Sequence, residues 1–197
     1  DVARLANVSI STVSSVINKN KNVSDELRRR VEQAIKELDY QTNPVARSLK
    51  NRKSGIIGVV LPNISSIFFP QLLNGIENAA SRNGYSIMYF DSNQNIHKER
   101  KYVEILAQHW VEGIIIDSNA DTKQRTEYIR FLTEKIINEY KIPIISLERP
   151  LMDQKIGTVK VDNEYGGYLV TKHLIDMGHK SIAHITGHLG YPMSWDR

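Results

Sequence analysis

The chain has 197 residues, 41% of them hydrophobic, and a formal net charge of +4, which fits one large globular domain or two smaller ones. It contains no cysteine, so disulfides and thiolate metal sites are excluded and nothing argues for an oxidising compartment. The opening stretch DVARLANVSIS is polar and charged rather than a signal peptide, and no apolar run approaches membrane-spanning length, so a cytoplasmic protein is expected.

The charge is unevenly spread. Residues 1–53 carry 11 Lys/Arg against 6 Asp/Glu, a net of +5, and residues 54–197 carry 15 against 16, a net of −1. A basic module for a polyanion joined to a neutral module for something else would explain this, although a solvated basic surface would give the same count.

The first forty residues read as three short helices. DVARLAN places Val2, Leu5 and Ala6 on one face and stops at Asn7, a residue that tolerates the left-handed backbone of a tight turn. In SISTVSSVIN, Ser9 is a candidate N-cap, and Val13, Val16 and Ile17 share one side. A third helix follows Ser24, with Asp25 and Glu26 in its dipole-favoured first turn and core positions Leu27, Val31, Ala34, Ile35 and Leu38. Two helices joined by a tight turn and braced by a third make a helix-turn-helix unit. Next comes NPVARSLKNRKSG, where Asn43-Pro44 reads as an N-cap with proline at the first helical position. Val45, Ala46 and Leu49 then share a face, in a helix too short to hold alone in water.

From Gly55 the pattern changes. GIIGVVLP is a continuous apolar strand of the kind buried on both faces of a parallel sheet. There follow a helix with Leu72, Leu73, Ile76, Ala79 and Ala80 on one face, a strand YSIMYF, a helix around Tyr102, Ile105 and Leu106, and a strand GIIID. A longer helix holds Tyr128, Ile129, Leu132 and Ile136, and strand IPIIS follows it. A short strand near TVKVD, a helix from about Tyr165 to Met177 and a strand SIAHIT come last. This alternation predicts a doubly wound parallel α/β sheet with right-handed crossovers.

The second helix has the make-up of a DNA reader. Every residue from Ser9 to Ser15 except Ile10 and Val13 bears a hydroxyl, which is unusual for a face that is merely solvated, since serine and threonine are middling helix formers. Ile10, Ser11 and Ser15 face outward near the N-terminus, where small or hydrogen-bonding side chains let the backbone enter a major groove. Ser9, Thr12, Ser14 and Asn18 can bond phosphates and fix the register. Other chemistry finds little support. His184 and His188 lack a third metal ligand nearby, and His173 and His179 are explained by helix-end and surface roles, so no metal site is expected. The turn PNISSIFFP lacks the glycines of a dinucleotide cradle, and no serine sits in a nucleophile elbow, so neither a cofactor nor an enzyme is expected.

Several stretches together carry a family resemblance: DVARLANVSISTVSSVIN, VSDELRRRVEQAIKELDYQTNPVARSLK, IIGVVLPNISSIFFPQLLNGIENAA, VEGIIID, IPIISLERP and VKVDNEYGGYLVTKHLIDMGHKSIAHITG. In this order they resemble the lactose-repressor (LacI/GalR) family of bacterial transcription regulators over the full length. The resemblance implies an all-α helix-turn-helix headpiece at residues 1–42 and a hinge helix and linker at 43–54. A periplasmic-binding-protein-like effector domain would follow, with its N-subdomain at 55–162 and the start of a C-subdomain at 163–197, truncated there. It implies a homodimer on a near-palindromic operator, formed largely through the helix at 69–83, and a small effector that changes DNA affinity. The function expected is repression of carbohydrate-utilisation genes in the bacterial cytoplasm, at the nucleoid.

Residue roles follow from the same resemblance. Leu49 matches the hinge leucine wedged into the operator's minor groove, Ala46 the small residue where two hinge helices meet, and Lys50 lies beside them in the DNA-contacting hinge. Phe68 and Phe69 match positions lining the effector cleft, and Asp117, Glu148 and Arg197 match polar positions that bond the effector, a sugar or sugar phosphate. Phe68 and Phe69 would equally serve as core or dimer packing. Three positions depart from the family pattern: Ser15 stands for a common arginine, Asn7 for the turn glycine, and Glu148 for the commoner aspartate. For some relatives a phosphocarrier protein acts as corepressor, and that partner stays open here. A sugar-binding transport protein or a Rossmann-type enzyme would share the second module; residues 1–53 count against the first and the missing glycine-rich loop against the second. Because the cleft's far wall is not completed, this chain by itself is expected to bind effector weakly or not at all.

Overall fold

The computed structural model describes residues 1–17, 23–40, 54–121, 123–187 and 192–196. The chain divides into two compact units, Asp1–Lys50 and Asn51–Arg197.

In the first unit α1 spans Val2–Leu5, α2 Ile10–Ile17 and α3 Asp25–Glu37. Asn7 adopts φ 51° between α1 and α2, the left-handed turn its short polar side chain tolerates. Ser24 caps α3, its hydroxyl accepting from the Leu27 amide at 3.5 Å. Val2, Ala6, Val13, Val16, Val31 and Ala34 form the core, with Ile17 and Ile35 partly buried against it. Three expected core positions lie outside this cluster: Leu5 is 46% and Leu38 43% exposed, and Leu27 is half-buried. Leu38 lies one residue past the end of α3, beyond the three-helix contact. Leu5 ends a four-residue helix and borders a shallow groove of about 220 Å³ with Arg30 and Glu37.

The second unit holds a five-stranded, all-parallel sheet in the order β2-β1-β3-β4-β5. The strands are β1 Ile56–Leu61, β2 Ser86–Asp91, β3 Gly113–Ile116, β4 Ile144–Leu147 and β5 Ile156–Val159. Between them run α4 Phe68–Arg82, α5 Ile96–Gln108 and α6 Arg125–Arg130, which continues as a π-helical stretch Phe131–Glu139. Helix α7, Asn163–Asp176, and α8, Pro192–Asp196, follow. Successive strand residues point to opposite faces. Val59 and Leu61 therefore join Phe69, Leu72, Leu73 and Ile76 in one cluster, while Val60, Ile114 and Ile116 join Val103, Leu106, Leu132 and Ile136 in another. Helices on both faces make the sheet doubly wound. Gly58 lets α5 sit close: a Cβ there would come within 2.6 Å of a Leu106 methyl.

The α4 face is thinly covered. Ala79, expected in the core, is exposed, and a groove of about 800 Å³ opens beside α4 over Ile57, Ile115, Ile145 and Val159. The strand expected near TVKVD lies earlier, at Ile156–Val159, where it pairs with β4. The strand expected at SIAHIT is not formed: those residues pair with no strand, and Ile182 and Ile185 are 41% and 97% exposed. A strand gains its hydrogen bonds only from a neighbour, and none lies beside this stretch among the described residues. No helix among the described residues is long and apolar enough to cross a membrane.

Candidate functional site

Helix α2 begins as its sequence predicts. The Ser9 hydroxyl accepts from the Thr12 amide at 3.1 Å, the N-cap bond, and lies 2.7 Å from the Ser11 hydroxyl and 2.8 Å from that of Thr12. Ile10 is 81% exposed, Ser9 and Ser11 are exposed, and Thr12, Ser14 and Ser15 are half-buried. An apolar residue so exposed at the first turn of a hydroxyl-rich helix gains nothing from the unit's own core; it suits contact with a partner. Arg30, a residue that sequence reasoning passed over, reaches back from α3 and donates to the carbonyls of Ala6 at 2.7 Å and Asn7 at 3.1 Å. It thereby satisfies carbonyls at the end of α1 and ties down the turn that aims α2. Asn18, Ala46, Leu49 and Lys50 lie outside the described residues.

In the second unit the chain leaves β1 toward β2 on one side and later passes to β3 on the other. A crevice is expected outside the carboxyl ends at such a reversal. The loop after β1 is pinned by carboxylates and amides: Asp91 accepts from the amides of Ile64 at 3.0 Å and Asn93 at 2.7 Å, and Asn63 accepts from Ser65 at 2.8 Å. Phe68 and Phe69 follow, ring centroids 5.2 Å apart and edge to face. The structure gives them different surroundings. Phe68 is 47% exposed, whereas Phe69, 9% exposed, packs on Val59, Leu61 and Leu147 in the α4-side core.

Asp117 follows β3 directly and is 1% exposed. Its Oδ1 has no hydrogen-bond partner and lies 3.7 Å from Arg149 Nε. Burial pushes its carboxyl up to about 7, against the opposing pull of the Arg149 cation, and the charges of Glu99 and Glu148 add to the rise. Glu148 sits at φ 48°, an uncommon conformation for a non-glycine residue, and its carboxylate accepts from the Val161 amide at 3.3 Å. Asp117 and Glu148 are therefore brought together at adjacent strand ends, while Arg197 lies outside the described residues.

Behind them lies a buried polar cluster not anticipated from the sequence. Glu99, in the first turn of α5 and fully buried, accepts from Ser118 Oγ at 2.7 Å, the Asn119 amide at 2.7 Å and Asn119 Nδ2 at 3.0 Å. Asn119 Nδ2 also donates to Ser92 Oγ at 2.8 Å, and Ser92 donates to the Leu61 carbonyl at 3.2 Å. Asn119 Oδ1 accepts from Arg149 at 3.0 Å, and the same guanidinium nitrogen donates to the Ser118 carbonyl at 3.2 Å. The ends of β1, β2, β3 and β4 are thus cross-braced through one amide. The sequence did hold a signal: Glu99, Val103 and Leu106 fall at i, i+4 and i+7, which places a carboxylate on the apolar stripe of its helix. Among the described residues no three His, Asp or Glu converge as a metal site.

Residues 1–43 match the family of bacterial regulatory proteins of the lacI type, and residues 54–189 match periplasmic binding proteins and the sugar binding domain of the LacI family. The ribose operon repressor of Halalkalibacterium halodurans is 41% identical over 197 residues, all of this chain and 56% of that protein. Catabolite control protein A of Priestia megaterium is 35% identical over 98% of this chain and 56% of its own length. Among solved structures, a lac repressor dimer bound to operator and the anti-inducer ONPF superposes with a TM-score of 0.82 at 29% identity, over 97% of this chain and 56% of that one. The chain spans about half the length of the relatives it matches. It belongs to the LacI family of bacterial regulatory proteins.

Proposed function

We propose that this chain is the DNA-reading and first effector-binding part of a sequence-specific transcriptional repressor of carbohydrate-utilisation genes. Residues 1–42 act as the headpiece, 43–54 as the hinge, 55–162 as the effector-binding N-subdomain and 163–197 as the start of the C-subdomain. The protein works in the bacterial cytoplasm as a homodimer on a near-palindromic operator. Ile10, Ser11 and Ser15 read base edges, with Ser9, Thr12, Ser14 and Asn18 on phosphates. Ala46, Leu49 and Lys50 place a wedge at the operator centre. The observation that carries the reading is the exposed, hydroxyl-lined first turn of α2, capped by Ser9 and aimed by a turn that Arg30 locks.

The effector is a sugar or sugar phosphate bound at the strand ends by Phe68, Asp117, Glu148 and Arg197, with Phe69 supporting Phe68 from the core. Hydroxyls suit the carboxylates, and an apolar sugar face suits an aromatic ring. A structural relative is a regulator solved as a cellobiose complex, at TM-score 0.58 and 26% identity, and the similar relative from Halalkalibacterium halodurans is named for a ribose operon. A phosphocarrier corepressor is a further partner this reading accommodates, given the similarity to a catabolite control protein. Selection from a random duplex pool tests the core of the reading. Recovery of a palindrome with a flexible central pyrimidine–purine step is the expected result; recovery of no consensus, with binding that only follows salt, refutes it.

A further inference from the structure

We propose that Glu99 is a positioning residue of the effector edge, acting through Ser118 and Asn119 to hold Asp117 and Arg149 where an effector would meet them. This rests on the reading of the strand ends as the effector site.

A fully buried carboxylate is costly unless its charge is met by donors. Glu99 meets three, all from Ser118 and Asn119, and no cation is paired with it among the ion pairs of the described residues. These three hydrogen bonds all come from one loop, the one that leads on from Asp117 at the end of β3, and the Tyr128 hydroxyl bears on the same carboxylate. Ordinary core packing would be served better by an apolar residue at this position of the α5 stripe, beside Val103 and Leu106. What the carboxylate adds is direction. It fixes the Asn119 amide, so that Nδ2 faces Glu99 and Ser92 and Oδ1 is left to face Arg149. The other groups around it are Tyr128, whose fully buried hydroxyl the Glu99 charge helps to keep neutral, and Arg100, which acts on Tyr128 in the opposite sense. Asp117 in turn faces Arg149, Glu99 and Glu148.

The test uses Glu99→Gln, an isostere without the charge, with Val103→Ala on the same helix as a control for lost packing. Two readouts need no effector: the titration of the Asp117 carboxyl by carbon NMR, and proton exchange at the Asn119 amide and Arg149 Nε. In Glu99→Gln the Asp117 midpoint moves below its starting value of about 7, because a neighbouring negative charge has gone, and exchange at both sites speeds up. Val103→Ala destabilises the unit and moves neither. An Asp117 midpoint and an Arg149 exchange rate unchanged in Glu99→Gln overturn the proposal. If Glu99→Gln does not fold, Ser118→Ala removes one donor from the carboxylate, and Arg149 exchange is judged by the same criterion. A third arm titrates D-ribose: where the parent protein binds it, Glu99→Gln weakens binding about tenfold, the worth of one disturbed buried hydrogen bond. If the full-length protein carrying this chain binds no pentose, hexose or sugar phosphate while the NMR arms behave as expected, the effector reading fails and the positioning of Asp117 and Arg149 stands.

Discussion

Asp117→Asn gives the most quantitative check on the strand-end site. The carboxyl is almost wholly buried, and that burial lifts its pKa from 3.8 to about 7 in the folded chain. Folding therefore tightens the hold on this proton. The resulting stability is complete below pH 3.8 and is lost as pH rises through about 7. Each tenfold change in proton affinity is worth about 1.4 kcal/mol, so the ionised carboxylate costs the folded unit at most about 4 kcal/mol near pH 8. Relaxation of the loop and entry of water reduce the expected figure to about 2 kcal/mol. Asparagine cannot ionise. Glu99, whose carboxyl is also raised by burial, is present in both proteins, but its charge couples to Asp117, so the measured difference belongs to the pair and not to Asp117 alone. Urea unfolding from pH 4 to 8 should show the stability of Asp117→Asn gaining on the parent as pH rises, by about 2 kcal/mol across the range. A difference that stays flat, or that runs the other way, would refute the assignment of a buried, reluctant carboxylate at the carboxyl end of β3.

Three further outcomes are expected. Gly58→Ala drives a methyl to within 2.6 Å of Leu106, itself fully buried, and should cost about 1–3 kcal/mol by urea unfolding of the second unit; a neutral result would mean that α5 sits further from β1. Arg30→Ala removes both donors to the turn after α1 and, for a partly exposed cation, should cost about 1 kcal/mol in thermal unfolding of the first unit while weakening duplex binding. Ile10→Ala touches a side chain 81% exposed, so stability should stay within about 0.5 kcal/mol while the base preference recovered from a random pool changes; an unchanged preference would remove Ile10 from the reading surface.

Much of the fold was legible because it rests on local signals that tertiary structure did not overrule. Asn7 at the turn, Ser9 as a cap, and the apolar runs of β1 and β3 all report themselves by residue type and spacing. SIAHIT failed for the complementary reason: its β-branched pattern states a preference, but a strand needs a partner that the described residues do not supply. Ala79 shows a similar limit, since a helical stripe says which face is apolar and not how much of it the sheet will cover. At the site, Asp117 and Glu148 were named by the family resemblance, and the structure places both at adjacent strand ends. Phe68 and Phe69, adjacent in sequence, were separated only by the structure, because neighbouring helical residues point about 100° apart. The brace of Ser92, Glu99, Asn119 and Arg149 was out of reach of motif reading, as its members come from four segments that only the parallel sheet brings together. Glu99 alone carried a hint, as a charge on an apolar stripe.

If operator reading and effector binding are joined in one protein, as proposed, the two should respond to each other when measured together. With the palindrome recovered from the random pool, duplex affinity of the protein carrying this chain should be measured with and without saturating sugar, across a panel of pentoses, hexoses and their phosphates. One of them should change duplex affinity by at least about fivefold, the lower end of an allosteric coupling, and Asp117→Ala should abolish the change while leaving sugar-free duplex binding intact. A sugar that binds at the strand ends and leaves duplex affinity untouched would contradict the proposal.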